Sequence, residues 1–196
     1  MPEGRCCLTM ENTLFLRRRK MIDILVTLIP LICMAVYFYR MRAVVMLAFA
    51  ILISVIADYI GNLFLGRKKW EKYDLSFLVT PVIFTLMLPA TAPYWMIVLG
   101  IVLAVFVAKI PFGGYGRNIF NPAAFAAAFL AISWPEQMLK YPDVFAKIGL
   151  ESQSNVLTNY AASYYLQNGG APKISLTDAM LGNFPGPMGA TCILII

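Results

Sequence analysis

Residues 109–134 read KIPFGGYGRNIFNPAAFAAAFLAISW, and this stretch decides how the chain can fold. Directly after Lys109, an apolar run is interrupted by a glycine-rich turn that contains Gly113, Gly114 and Gly116. Asn121-Pro122 then opens an alanine-rich run, because asparagine is a favoured N-cap and proline suits the first helical position. The sequence predicts a short helix that begins at Pro122, with its free N–H groups and positive dipole end facing the glycine turn.

Composition indicates the environment of this stretch. The chain is 60% hydrophobic and 13% charged, whereas soluble domains are about half apolar and about a quarter charged. We therefore expect an integral membrane protein embedded in the lipid bilayer. Irregular backbone at membrane depth must be buried in protein or line a cavity, because lipid cannot satisfy its polar groups. The glycine turn is thus expected to form a binding site.

Charge and histidine content exclude several functions. The net charge is +6, but the basic residues cluster at the ends of apolar runs. That pattern is typical of topology determinants, so no nucleic-acid partner is expected. The chain contains no histidine, which excludes imidazole-ligated haem, zinc and copper within it. No metal site and no histidine acid–base relay are predicted.

The apolar runs predict five to six transmembrane helices, judged against the roughly 20 residues that a span requires. The five complete runs are Met21–Tyr39, Ala43–Leu65, Leu75–Leu88, Tyr94–Ile110 and Ile119–Trp134. The third and fifth are short, so each is either tilted or a half-helix. A sixth run begins near Met188 and stops at Ile196, from which we expect a truncated chain. The predicted parts are a cytoplasmic N-terminal segment (1–20), helices 1–5 (21–134), an extracytoplasmic loop (135–186) and the start of helix 6 (187–196).

Basic residues predict the orientation of these helices. With the N-terminus in the cytoplasm, the cytoplasmic segments hold Arg5, Arg17, Arg18, Arg19, Lys20, Arg67, Lys68, Lys69, Lys72, Lys109 and Arg117. The opposite side holds fewer, namely Arg40, Arg42, Lys140, Lys147 and Lys173. The positive-inside rule therefore favours a cytoplasmic N-terminus. Tyr94 and Trp95 are then expected at the outer interface.

The segment from residue 73 to residue 138 resembles the RnfD/NqrB family. The shared motifs are LP at 88–89, APYWM at 92–96, VLG at 98–100, AK at 108–109, GGxGxN at 113–118, FNPA at 120–123 and ISWPxQM at 132–138. The close match covers about a third of the chain, and helix count and loop placement extend it over nearly all of it. The combination of the glycine turn with Asn118 and FNPA is specific, whereas a lone GGxG is not.

The resemblance implies both a fold and a function. Family members are built from two inverted five-helix repeats, as in urea transporters, so this chain is expected to form the first repeat. They are subunits of ion-pumping redox complexes in the bacterial inner membrane, beside other membrane, iron–sulfur and flavin subunits. The expected function is passage of electrons through a flavin, coupled to Na⁺ or H⁺ translocation, with no catalysis by this subunit alone.

The resemblance also implies FMN joined by a phosphoester to a threonine of an S/T-G-A-T motif. That motif is missing here: Gly169–Ser175 reads GGAPKIS, and alignment places the flavin position at Ser175, with Thr177 nearby. Serine offers the same hydroxyl nucleophile. The family's upstream acid is replaced by Asn168, and its glutamate near the sixth span is absent. These departures leave open a covalent flavin, a non-covalent flavin and a different task.

Asp58 is the main candidate for ion coupling, because a carboxylate within a membrane span is costly to bury and is by default functional. It is an ion or proton site, a partner for a buried cation, or a structural hydrogen-bonding group. Asn62, four residues on, falls near the same helix face, as an oxygen-ligand site requires. Gly113, Gly114, Gly116, Asn118, Asn121 and Lys109 are expected to line a flavin- or quinone-proximal pocket, with Lys109 neutralising a flavin phosphate or else extending to the interface.

Two rival functions remain open. One is a transporter or channel for a small polar solute, such as urea or riboflavin, on the same fold, which the missing S-G-A-T motif favours. The other is a half-length protein that forms a homodimer and so rebuilds the ten-helix pair. A neighbouring gene set for iron–sulfur and flavin subunits would favour the redox function over the transporter.

Overall fold

A computed structural model describes residues 3–64, 76–112, 118–145, 158–160, 166, 169–170 and 175–189. Helix α1 covers Glu3–Tyr39, and α2 covers Met41–Phe64. Arg40 joins them in a left-handed conformation with φ of 48°. Two stretches are long and apolar enough to cross a membrane: 21 residues ending at Tyr39, and the 24 residues of α2.

Three shorter apolar helices follow. They are α3 (Ser76–Met87, 12 residues), α4 (Tyr94–Phe106, 13 residues) and α5 (Pro122–Ser133, 12 residues). At 1.5 Å per residue each is about 18–20 Å long, which is less than the roughly 30 Å of a bilayer core. The expected short third and fifth runs are therefore present.

The fourth run is also shorter than the sequence predicted. Helix α4 ends at Phe106, and residues 107–112 continue as turns. In these turns the Ile110 N–H donates to the Val105 carbonyl at 2.8 Å, a bond one residue longer than in an α-helix. Pro111 is one physical reason, because it has no N–H to donate to the Val107 carbonyl and disfavours the α conformation at Ile110. The result is an irregular segment directly before the glycine turn.

The polar part of the chain carries small elements. These are α6 (Pro135–Met138), β1 (Lys140–Pro142), β2 (Thr158–Tyr160) and α7 (Leu176–Leu181). Strands β1 and β2 pair antiparallel, with Lys140 opposite Tyr160. This two-stranded ladder is the one departure from an all-α chain within the described ranges, and the expected mostly helical class is confirmed.

Helix α2 is the centre of the helical packing and contacts α1, α3 and α4. Small residues on its buried face allow the neighbouring backbones to approach closely; they are Ala43, Ala50, Ser54, Ala57 and Gly61. Helices α3 and α4 meet where the fully buried ring of Phe84 occupies the position of a Cβ on Gly100. Helix α5 then packs on α3 and α4.

A serine from α2 compensates for a proline inside α3. Pro81 has no N–H, so the Phe77 carbonyl four residues earlier has no partner within its own helix. The Ser54 hydroxyl, which is buried, donates to that carbonyl at 2.9 Å. The helix therefore continues through Pro81 because α2 supplies the missing donor.

The bundle has two distinguishable ends. At the first, called the Arg42 end, Arg42 contacts the turn between α3 and α4, and the Tyr39 hydroxyl reaches the Gly186 carbonyl at 3.4 Å. The N–H groups of residues 188 and 189 donate to carbonyls at the C-terminal end of α3, at 3.2 and 2.8 Å, and satisfy groups that every helix end leaves free. At the second, called the Asp58 end, the last turns of α2 meet the turns after α4.

Candidate functional site

An ion pair between Lys109 and Asp58 is the main feature of the Asp58 end. The Lys109 Nζ atom donates to both carboxylate oxygens, at 2.6 Å from Oδ2 and 2.9 Å from Oδ1. The side chains are only 11% and 17% exposed, respectively. The structure thus joins two residues that the sequence had singled out separately.

Local backbone explains how the two charges meet. Asp58 lies in the second half of α2, and one turn later the absence of a side chain at Gly61 makes room for Ile110. Lys109 precedes Ile110 in the irregular turns after α4, so the approach of Ile110 to Gly61 brings the lysine to the same side. The contact of Ile110 with Gly61 of α2 therefore positions Lys109 beside Asp58.

Asn62 lies outside this arrangement. It is exposed on α2, whereas Asp58 is half-buried against the end of α4. Residues four apart differ by about 40° around a helix, and here that rotation carries Asn62 out of the packed face. The structure gives Asp58 a lysine partner, and the pairing of Asp58 with Asn62 as ion ligands stays a prediction.

The glycine turn itself, with Gly113, Gly114, Gly116 and Arg117, lies outside the described residues. Its C-terminal neighbour Asn118 has a buried Oδ1 atom that finds no hydrogen-bond partner among the described residues. Asn121 is the N-cap of α5, and its side-chain oxygen accepts the Ala123 N–H at 3.1 Å. The predicted helix start at Pro122 is confirmed.

Ser175 and Thr177, the predicted flavin positions, lie side by side at the start of α7. Both are exposed, and their hydroxyl oxygens are 2.8 Å apart. Ser175 is the N-cap of α7 by position but makes no side-chain capping bond. Its hydroxyl lies against that of Thr177 instead, and the Asp178 carboxylate accepts a hydrogen bond from the Asn183 side-chain amide at 3.1 Å.

Arg42 is a buried polar residue whose role the sequence did not reveal. It was counted as an outer-side topology charge, yet it is 1% exposed. Its guanidinium donates to the Ala90 carbonyl at 3.1 Å, the Ala92 carbonyl at 2.9 Å and the Tyr94 hydroxyl at 2.8 Å. Its central carbon also lies 4.6 Å from the centre of the Tyr94 ring, a cation–π contact. The one sequence feature that pointed to this buried role was the position of Arg42 at the start of an apolar run.

Titratable groups beyond the spans have simple environments. A hydrogen bond from Lys140, at 2.7 Å, lowers the pKa of Glu136 below its usual value, and the positive charge adds to this effect. Burial raises the pKa of the Tyr141 phenol. Within the described ranges no cluster of three or more His, Cys, Asp or Glu side chains is present.

Fold and site together define a helical membrane protein with an ion pair buried between its helices. The chain belongs to the NQR2, RnfD, RnfE family, whose family model matches residues 15–196. This membership confirms the resemblance drawn from the sequence motifs.

Individual relatives carry more specific names. The chain is 38% identical over 120 residues to a protein named as one subunit of the ion-translocating oxidoreductase complex of Actinobacillus pleuropneumoniae, a match covering 60% of this chain and 34% of that protein. It is 36% identical over 116 residues to one subunit of the Na⁺-translocating ferredoxin:NAD⁺ oxidoreductase complex of Acetobacterium woodii, covering 59% and 36%. The chain thus spans about a third of the length of the curated relatives it matches.

Proposed function

We propose that this chain is a membrane subunit of an ion-translocating electron-transport complex of the Rnf/Nqr type, and that it passes electrons through a flavin. The observation that carries the proposal is the Asp58–Lys109 ion pair, buried in a helical bundle of this family. Relatives named as ion-translocating subunits support the same assignment.

The ion pair supports ion translocation for an energetic reason. Removing two charges from water is expensive, and a well-packed apolar pair is often at least as stable as a buried ion pair. Ionisable side chains within membrane spans consequently mark ion or proton pathways. Asp58 is therefore the proposed coupling residue, with Lys109 as its partner beside the glycine turn.

The flavin assignment rests on the two hydroxyls at the start of α7. Ser175 and Thr177 are both exposed, so either fits attachment of FMN through a phosphoester. The bound flavin supplies the redox chemistry, and the protein contributes position and electrostatics. Ser175 is the proposed attachment residue, with Thr177 next to its hydroxyl.

The proposed setting is the bacterial inner membrane, with the N-terminus in the cytoplasm and with other membrane, iron–sulfur and flavin subunits as partners. The proposed fold is the first of two inverted repeats of a urea-transporter-like bundle. The short helices α3 and α5 support it, since half-helices accompany binding sites in such repeats.

Intact mass and in-gel flavin fluorescence on the protein purified from its native membrane test the flavin assignment. We expect a fluorescent band heavier by one FMN, with the adduct on the peptide that contains Ser175. Ser175→Ala should abolish the adduct, whereas Thr177→Ala should retain it, since the neighbouring hydroxyl is not the nucleophile.

The rival solute transporter gives a different result in the same purification. A dark band of unmodified mass, with no iron–sulfur or flavin subunits co-purifying, would support the transporter that the missing S-G-A-T motif favours. A dark band that still co-purifies with redox subunits would indicate a non-covalent flavin and would leave the complex assignment intact.

A further inference from the structure

We infer that the Asp58 carboxylate is a binding site for a small monovalent cation and that the Lys109 ammonium group occupies this site when the cation is absent. The inference rests on the ion translocation proposed above and specifies how Asp58 takes part in it. The ammonium group and the transported cation are alternative partners of one carboxylate.

The geometry shows that the lysine fills the position of a cation. Its ammonium group contacts both carboxylate oxygens, at 2.6 and 2.9 Å, so it occupies the position between them that a bound cation would take. A second positive charge at the same oxygens would lie within a few ångströms of the ammonium, where like charges repel strongly in a low-dielectric interior. Binding of one therefore requires departure of the other.

The charge of the site selects the kind of cation. Asp58 contributes one negative charge, and within the described ranges no further His, Cys, Asp or Glu side chains gather into a metal-binding group. Divalent hard cations such as Ca²⁺ require several oxygen ligands, usually with more than one carboxylate. A single carboxylate near the end of a membrane helix matches the charge of a monovalent ion instead.

The position of Lys109 links this exchange to the segment that precedes the glycine turn. Lys109 lies in the irregular turns after α4, four residues before Gly113. A four-carbon stem lets the released ammonium group extend toward the polar end of the bundle. Cation binding at Asp58 thus releases the Lys109 side chain from α2 while Ile110 stays packed at Gly61, and loss of the cation restores the ion pair.

Amine labelling of Lys109 tests this exchange in native membrane vesicles. The full-length protein is reductively methylated at one pH in NaCl or in choline chloride of equal ionic strength, and the lysine peptides are quantified by mass spectrometry. We expect labelling of Lys109 to be about fivefold higher in Na⁺, the lower end of usual coupling between two ligands. Lys140, which pairs with Glu136 at the Arg42 end, is the internal control and should label equally in both salts.

A matched variant separates exchange from simple burial. In Asp58→Asn the lysine has no carboxylate to leave, so labelling of Lys109 should be high in both salts. Equal labelling of wild-type Lys109 in Na⁺ and choline would overturn the inference, whatever the variant does, and would make the ion pair purely structural. Because the readout requires neither flavin nor electron transfer, this result is independent of the flavin mass experiment.

Discussion

Arg42 links the start of α2 to the turn between α3 and α4. Its planar guanidinium donates one hydrogen bond to each of three acceptors: the Ala90 carbonyl, the Ala92 carbonyl and the Tyr94 hydroxyl. A buried turn must find donors for its carbonyls, because unsatisfied backbone groups are costly inside a protein. A single arginine therefore fixes the geometry of a turn 50 residues away in sequence.

We predict that Arg42→Lys destabilises the protein by about 3 kcal/mol, because hydrogen bonds to charged groups contribute about 1.5–3 kcal/mol each and an ammonium group cannot reproduce the guanidinium fork. The measurement is equilibrium unfolding of the purified protein in detergent. Arg40→Lys is the matched control, since Arg40 is exposed. Arginine and lysine at position 40 are equally strained by its left-handed backbone conformation. Equal stability of the two variants would contradict a structural role for Arg42.

The contrast between Arg42 and Asn121 shows which residues sequence patterns identify. Asn121 acts within two residues of itself, so its capping role followed from the dipeptide Asn121-Pro122. Arg42 acts across about 50 residues, and Lys109 meets Asp58 across 51. Local rules singled out both members of the ion pair but contained no information on their pairing, because that depends on how Gly61 and Ile110 pack.

At the scale of helices, the contact between α2 and α3 depends on a proline. Pro81 removes one backbone donor from the interior of α3, and Ser54 of α2 replaces it. The two helices are consequently joined by a directional bond as well as by apolar packing. The Thr85 hydroxyl also donates to the Pro81 carbonyl at 2.7 Å, so the backbone on each side of the proline has a hydroxyl donor.

We predict that Ser54→Ala costs about 1 kcal/mol, the usual size of a hydrogen bond between membrane helices. In a Pro81→Ala background the new N–H at residue 81 restores the bond to the Phe77 carbonyl, so Ser54→Ala should then cost little. Unfolding free energies of the four proteins give this double-mutant cycle. An equal cost of Ser54→Ala in both backgrounds would show that the serine contributes packing alone. Ser133→Ala, at an exposed position of α5, controls for general effects of serine removal.

At the scale of the whole molecule, contacts between aromatic side chains identify the segments that lie together at the Arg42 end. Trp95 and Trp134 meet at one end with ring centres 5.2 Å apart, and Phe145 packs against Tyr37 and Phe38 there. These are segments that the charge distribution assigned to one side of the membrane. The contacts agree with that grouping, while the assignment of this end to the outer side stays a prediction from the basic residues.

Cysteine labelling in intact cells tests the orientation. In a background without the four native cysteines, Glu136→Cys should react with a membrane-impermeant maleimide, because this exposed residue lies beyond α5 on the predicted outer side. Ile119→Cys lies before α5 and should react only after permeabilisation. The reverse pattern would invert the topology and would place the Asp58–Lys109 pair near the outer surface.

The native Cys33 provides the reference for lipid exposure. It is exposed on α1 within the membrane-length stretch, so we expect acyl chains and not water around it in the bilayer. In a variant that keeps Cys33 as its single cysteine, this thiol should remain unlabelled by the impermeant maleimide, before and after permeabilisation. A thiol reacts with maleimide as the thiolate, and a hydrocarbon environment disfavours that charge. Labelling of Cys33 would mean that this face of α1 is in contact with water, and the two-ended arrangement would then surround an aqueous path instead of facing lipid.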